Sequence, residues 1–240
     1  MLETVKTLCS LSGVSGTEDE VRDYILARVA PYADEIRGDA MGNLLVFKKG
    51  VRAPERTVML CAHMDEVGLI VTGIDEDGCL RFACVGGIDR RVLIGKRVFV
   101  GPDKVPGVTG IKACHLVSKS EEEKVPKLDE MYIDIGCIDR AGAEALVRLG
   151  DTVSFSGDCY EFGEGFLKAK ALDDRVGCAV MVKLLERELA VDTWFAFTVQ
   201  EEVGSRGAHG AAFALCPEIA LILEGTTAAD LPEVPEGQQI

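Results

Sequence analysis

His63 closes the apolar run "RTVMLCAH", with Asp65 two residues further on, in a chain that has only three histidines. Two more apolar runs end in the same manner: "WFAFTVQEE" at Glu201 and Glu202, and "IALILE" at Glu224. A fourth pair, Asp173 and Asp174 in "KALDDRVG", stands immediately before a helical pattern. In open α/β sheets ligands gather outside the carboxyl ends of the strands, so these termini are expected to converge on one crevice. Carboxylates crowded there repel one another unless they are protonated or neutralised by cations. Imidazole with carboxylates and no required thiolate suits Zn²⁺, Co²⁺ or Mn²⁺ better than an iron–sulfur cluster or copper. Adjacent Glu201 and Glu202 can divide the labour, because neighbouring side chains at a strand end point apart. One can hold metal while the other takes a proton from an attacking water and returns it to a leaving amine. That is hydrolytic chemistry.

Taken singly, each of these residues has an ordinary explanation. A lone histidine at a strand end is more often hydrogen-bonded structure than a ligand. Asp173 or Asp174 could be an N-cap, the default for Asp before a helix. A Glu pair after a strand is usually a solvated turn, and Glu224 before "GTT" could be the same. The joint occurrence shifts the odds, since every such run ends in a ligand type. His115 and His209 stay with a structural role. Cys61 shares a strand face with His63 and is read as a small buried hydrophobe rather than a thiolate ligand.

These residues need elements to position them. "SGTEDEVRDYILARVAPY" carries a capping box, Thr17 with Glu20, ahead of a helix that Pro31 closes. "DEIRGDAMGNLLVFKKG" reads as a hairpin whose second strand is Asn43 to Lys48. "RTVMLCAH", "TWFAFTV" and "EIALILE" read as strands buried on both faces. "DDRVGCAVMVKLLEREL" predicts a helix with Val176, Val180, Leu184, Leu185 and Leu189 on one face. Between them, from about Gly68 to Gly165, short β-like runs ("LIVTGI", "CLRFACV", "KRVFVG", "MYIDIGCI", "DTVSFSG") alternate with Gly/Asp turns. The expected organisation is an α/β domain, residues 1–67 and 166–240, interrupted by a small β-rich domain at 68–165. The run "SKSEEEKVPKLDE" inside it reads as a solvated charged loop.

Composition narrows the class further. The chain has 240 residues, 48% hydrophobic and 28% charged, enough for a substantial core. A net charge of −14 argues against nucleic acid or an anionic membrane surface as partner. No apolar stretch approaches the roughly 20 residues that span a bilayer, and "MLETVKTLCS" lacks the layout of a secretory signal. Nine scattered cysteines without a CxxC fit reduced thiols in a cytoplasmic protein better than a disulfide framework.

Four motifs in order, "AHMDEVG", "KALDDRVGC", "VQEEVGSRGA" and "LEGTTAADLP", resemble those of the glutamyl-aminopeptidase-like tetrahedral (TET) aminopeptidases. The likeness includes "GGIDRRVLIGKRV" and "GVTGIKACHL" in the insert. It implies a metallopeptidase-type α/β sheet with helices on both faces and an inserted barrel-like domain, and a co-catalytic exopeptidase with two divalent ions (Zn, Co or Mn) per subunit. His63 and Glu224 would then bind the first ion, Asp173 would bridge the two, and Glu202 would bind the second. Glu201 would be general base and acid, and Asp65 would orient His63. The insert would mediate dimers that build a homo-oligomeric dodecamer admitting only short peptides, trimmed from a free N-terminus. Family members continue for a further stretch that carries the last histidine ligand of the second ion. The chain therefore resembles a C-terminally truncated member with reduced activity. The alternative is an inactive fragment that acts only through self-association of its β-domain. Carbohydrate hydrolysis ranks last, because adjacent carboxylates cannot flank a glycosidic bond.

Overall fold

The computed structural model describes residues 1–52, 56–118, 124–235 and 237. Helices α1 (Leu2–Ser10) and α2 (Asp19–Val29) precede a hairpin of β1 (Glu35–Gly38) and β2 (Leu44–Lys48). In α2, Val21, Ile25 and Val29 recur every four residues and are fully buried, the stripe a 3.6-residue turn requires. The predicted Thr17–Glu20 capping box does not form. Glu18 is the N-cap residue, Thr17 Oγ1 donates to the Val14 carbonyl (2.9 Å), and Glu20 accepts from the Ser12 amide (3.3 Å) and Lys104 Nζ (2.8 Å). Tertiary partners displace the local cap.

From β3 (Val58–His63) the chain passes into β4 (Gly68–Ile74), β5 (Leu80–Val85), β6 (Arg97–Val100), β7 (Val105–Ile111), β8 (Met131–Asp134), helix α3 (Arg140–Glu144) and β9 (Thr152–Phe155). Strands β4 to β9 close an antiparallel barrel in the order β4-β5-β8-β7-β6-β9. Alternate residues, among them Leu69, Val71, Leu80, Phe82, Val98, Val100, Met131 and Ile133, fill a core of its own. Closure pairs every strand on both sides. Strand β7 was not foreseen, because "VPGVTGI" has the proline and glycines of a loop. Its glycines serve close packing: a Cβ on Gly110 would lie 2.6 Å from the Tyr132 ring. Residues 119–123 of the predicted charged loop lie outside the described residues.

A hairpin of β10 (Tyr160–Phe162) and β11 (Phe166–Lys168) leads back to α4 (Leu172–Leu185), β12 (Thr193–Thr198), α5 (Arg206–Leu215) and β13 (Ile219–Ile222). The main sheet runs β1-β2-β12-β3-β13, with β12, β3 and β13 parallel and β2 antiparallel to β1 and β12. Alternation along β12 sends Phe195 and Phe197 to the face covered by α1, α2 and α4, and Ala196 to the face covered by α5. Helices thus cover both faces.

Two expectations change. On α4 the buried face is Arg175, Cys178, Ala179, Met181, Val182 and Leu185, while Val176 is 40% exposed and Leu189 lies beyond the helix. The segment is apolar most of the way round, so periodicity alone did not select the face; small residues at 177–179 let the helix approach β3. Strand β13 is not buried on both faces: as the outermost strand it leaves Leu221 57% and Ile222 60% exposed.

Asn43, fully buried, ties three elements together. It donates to the Gly207 carbonyl (2.8 Å) and Asp39 Oδ2 (2.6 Å) and accepts the Val199 amide (3.0 Å). A Cβ on Gly207 would lie 2.4 Å from Asn43 Oδ1, so glycine is required there. Asn43→Ala is expected to destabilise the fold by about 1–3 kcal/mol, because it leaves a buried N–H unpaired. Urea unfolding followed by circular dichroism checks this; an unchanged midpoint would refute it.

Candidate metal centre

Parallel register brings three strand ends to one rim of the sheet. Thr198 of β12 lies beside His63 of β3, and Ile222 of β13 lies beside Cys61. The Leu223 amide donates to the Cys61 carbonyl (2.8 Å), which carries the chain to Glu224 next to His63. Helix α4 starts at the same rim, held there by Cys178 Sγ, which donates to the His63 carbonyl (3.1 Å).

Three of the predicted ligands meet. His63 is 2% exposed, and its Nε2 lies 3.1 Å from Asp173 Oδ1 and 3.6 Å from Glu224 Oε1. One donor atom from each of the three falls within 4.8 Å of the others. Asp173 and Glu224 keep side chains 51% and 46% exposed, so the group opens to solvent. Glu202 lies outside the group of three, although its charge and that of Asp173 act on one another. Glu201 is also outside it, and its Oε1 accepts from Ser205 Oγ at 2.9 Å. His115 and His209 are exposed and take no part, and Cys61 is a buried core residue.

The aspartate pair divides cleanly. Both residues have non-helical backbone angles, and the peptide between them is cis. Asp174 is 1% exposed and accepts the Gly177 amide at 3.0 Å, which makes it the cap of the helix that follows. Asp173 is thereby left to face the imidazole.

Asp65 organises the rest. It is fully buried and its Oδ1 lies 3.4 Å from His63 Nδ1, on the side of the ring opposite Asp173. Asp65 accepts from Ser15 Oγ (2.5 Å), the Glu201 amide (2.9 Å) and the Glu202 amide (3.1 Å). The Gln200 amide goes to Glu18 Oε1 (3.1 Å), and the Val199 amide to Asn43. Four successive amides, 199 to 202, are therefore taken by three buried side chains. They hold Gln200 at φ +56°, a left-handed conformation that non-glycine residues rarely adopt.

The charges follow from this geometry. Burial opposes a proton on His63, but the carboxylates of Asp65, Asp174 and Glu224 outweigh it and raise its pKa to about 10. Burial would raise Asp65 too, yet His63, Ser15 and the Glu201 amide hold it below the ordinary aspartate value. Burial pushes Asp174 up to about 7, and burial with the negative charges of Asp173, Asp65 and Glu201 pushes Glu202 up to about 7. Glu224 is raised by burial and by its contact with Asp173. Such a set of carboxyl groups around an imidazole fits a divalent cation, which would replace the protons and keep the acids ionised.

Sequence reasoning missed the supports: Ser15, Glu18, Asn43, and a buried trio of Glu66, Lys170 and Arg175. Glu66 Oε1 accepts from Lys170 Nζ (2.6 Å) and the Gly13 amide (3.2 Å), with Arg175 Nη2 at 3.6 Å. The one available signal was Arg175, a charge inside an otherwise apolar helical stretch.

Comparison with known proteins identifies the family and the fold. Residues 42–240 match the M42 glutamyl aminopeptidase family. The chain is 43% identical over 235 residues to a putative aminopeptidase of Acetivibrio thermocellus, covering 97% of this chain and 68% of that protein. An aminopeptidase structure from the archaeon Desulfurococcus kamchatkensis superposes with a TM-score of 0.92 at 37% identity, over 99% of this chain and 66% of that one. The TET1 peptidase of Pyrococcus horikoshii, described as assembling into a tetrahedron or a large octahedral shell, superposes with a TM-score of 0.84 at 33% identity, over 98% and 72%. The chain thus spans about two thirds of the length of these relatives. On the family match and the fold together, this chain belongs to the M42 glutamyl aminopeptidase family.

Proposed function

We propose that the protein is a metal-dependent aminopeptidase that removes N-terminal residues from short peptides. The observation that carries this reading is the meeting of His63, Asp173 and Glu224 at one sheet rim, within 4.8 Å of one another. In the proposal these three hold the first divalent ion, Asp173 is shared with a second, and Glu202 serves the second. Zn, Co and Mn all suit this donor set. A bound cation supplies Lewis acidity, polarising the peptide carbonyl and acidifying water near neutral pH. Asp65 keeps the His63 ring oriented with Nε2 toward the acids. Glu201 accepts the proton of the attacking water and delivers it to the departing amine, so that the C–N bond breaks as the new C–O bond completes. The cytoplasm fits the buried free thiols of Cys9, Cys61 and Cys178.

We assign residues 1–67 and 166–240 to catalysis and 68–165 to self-association. The barrel, with its complete core, suits a module that packs against a second copy and builds dimers toward a dodecamer. Exposed Val92, Ile94 and Val108 on the barrel are compatible with such contact. A second reading, self-association without catalysis, rests on that same barrel. Static light scattering of the chain at increasing concentration tests the association: a monomer throughout would refute it.

Within these 240 residues the second ion has only Asp173 and Glu202, so calorimetric titration is expected to show one tight and one weaker site. Protons on His63, whose pKa is raised to about 10, and on Glu202, raised to about 7, compete with the two ions. Affinity should therefore rise with pH through neutrality, by roughly tenfold per pH unit for each proton displaced. Titration in two buffers of different ionisation enthalpy counts those protons. Absence of any uptake of Zn²⁺, Co²⁺ or Mn²⁺ would end the reading.

Glu201→Gln should leave metal content unchanged and lower hydrolysis of aminoacyl-nitroanilides by about 10²–10⁴-fold. Loss of metal with retained hydrolysis would exchange the roles of Glu201 and Glu202.

A further inference from the structure

Glu18 lies far from the strand-end motifs in sequence and outside the matched residues 42–240, yet it reaches the site. Its backbone caps α2, since the amides of Val21 and Arg22 both go to the Glu18 carbonyl (3.1 and 2.9 Å). Its side chain makes no cap bond of its own. Only 6% exposed, the carboxylate instead has Oε1 accepting the Gly16 amide at 2.7 Å and the Gln200 amide at 3.1 Å. A buried acid on a helix N-cap that ignores its own helix has been recruited by something else.

That partner is the turn carrying Glu201 and Glu202. Gln200 has φ +56°, and this left-handed step turns the next two amides together onto Asp65. Left alone, a residue with a Cβ leaves that conformation for an extended or right-handed one. In either, the Glu201 and Glu202 amides would no longer face Asp65 and both carboxylates would be re-aimed. Asp65 grips the turn after the left-handed step, Asn43 grips it before, and Glu18 grips the step itself.

We infer that Glu18 is a positioning residue, which holds Gln200 in its left-handed conformation and so aims Glu201 and Glu202 at the metal rim. The inference rests on the proposed peptidase reading for its catalytic consequence, but not for its structural one. It requires an acceptor at the right reach rather than a negative charge. Glutamine should therefore serve and aspartate, one methylene short, should not.

Hydrogen exchange by mass spectrometry on the full chain reads the turn directly. Glu18→Ala and Glu18→Asp are expected to speed exchange in the 199–203 segment by about tenfold or more, with β3 unchanged and Glu18→Gln close to wild type. Where metal-stimulated hydrolysis is measured, kcat should fall at least about tenfold in the alanine and aspartate variants, with KM within about twofold. The double variant Glu18→Ala with Gln200→Gly should recover much of both losses, because glycine adopts φ +56° without strain. Wild-type exchange in Glu18→Asp, or no recovery with glycine at 200, would overturn the assignment. If Glu18→Ala does not fold, the aspartate and glutamine variants decide the matter between them. A wild-type chain without any metal-stimulated hydrolysis sinks the peptidase reading alone, while the exchange data still judge Glu18.

Discussion

The rim of the sheet at His63 depends on how four consecutive amides, those of Val199 to Glu202, are held in place. Their acceptors come from three separate parts of the chain: Asn43 before β2, Glu18 before α2 and Asp65 after β3. A buried amide without a partner costs about 1–3 kcal/mol, so together these bonds leave the turn one path. The same bonds serve Asp65, whose buried charge would be unfavourable without donors. Ser15 Oγ and two amides supply them, and the ionised Asp65 then presents its charge to Nδ1 of His63. Nε2 is left for Asp173 and Glu224. Shaping the turn, stabilising Asp65 and orienting His63 are thus one interaction.

Charge compensation is distributed unevenly, and the unevenness marks the site. Glu66 sits one residue from Asp65 and is equally buried, but the chain gives it Lys170 at 2.6 Å and Arg175 at 3.6 Å. At the rim, Asp173 and Glu224 have ion pairs among the described residues only with His63, at 3.1 and 3.6 Å. A single imidazolium cannot balance Asp65, Asp173, Glu202 and Glu224 together. This crowding, together with burial, raises the pKa values of Glu202 and Glu224. One acidic cluster is neutralised by side chains of the chain itself; the other keeps an excess of carboxyl groups over cationic partners among the described residues.

Much of this was legible in the sequence, and the rest has identifiable reasons for not being so. Apolar runs that end in His63, Glu201, Glu202 and Glu224 exposed the rim, because in a parallel sheet strand ends on one side share an edge. The barrel strands other than β7 showed as short alternating runs. Which member of "DDR" faces the imidazole was not readable from residue type and spacing, and only the resemblance singled out Asp173; the fold makes Asp174 the cap. Ser15, Glu18 and Asn43 were invisible for a different cause. Each acts through a bond to a backbone amide 156 or 182 positions away or to a side chain 50 positions away, and such partners leave no local pattern. On α4 the expected face was only partly right, since Leu185 is buried but so is Arg175, whose guanidinium donates to the Leu8 carbonyl (2.5 Å).

The point of insertion of the barrel is itself part of the site. The chain leaves the sheet through residues 64–67, which carry Asp65 and Glu66, and returns through 169–171, immediately before Asp173. Lys170 on the returning segment is bonded to Glu66 on the departing one, so the two crossings are stapled at 2.6 Å. Lys170 also donates to the Leu11 carbonyl (2.6 Å), and Arg175 to that of Leu8, which ties both crossings to the N-terminal segment. On the barrel side, Gly86 packs so closely that a Cβ there would meet Val67 at 2.8 Å and Glu202 at 3.3 Å. A displacement of the barrel toward the sheet at this point would press on Glu202. Breaking a buried pair by separating its partners is strongly unfavourable. His63 at the end of β3 and Asp173 at the start of α4 thus come within 3.1 Å across the insert that separates them in sequence, with the Glu66–Lys170 bond tying the two crossings together.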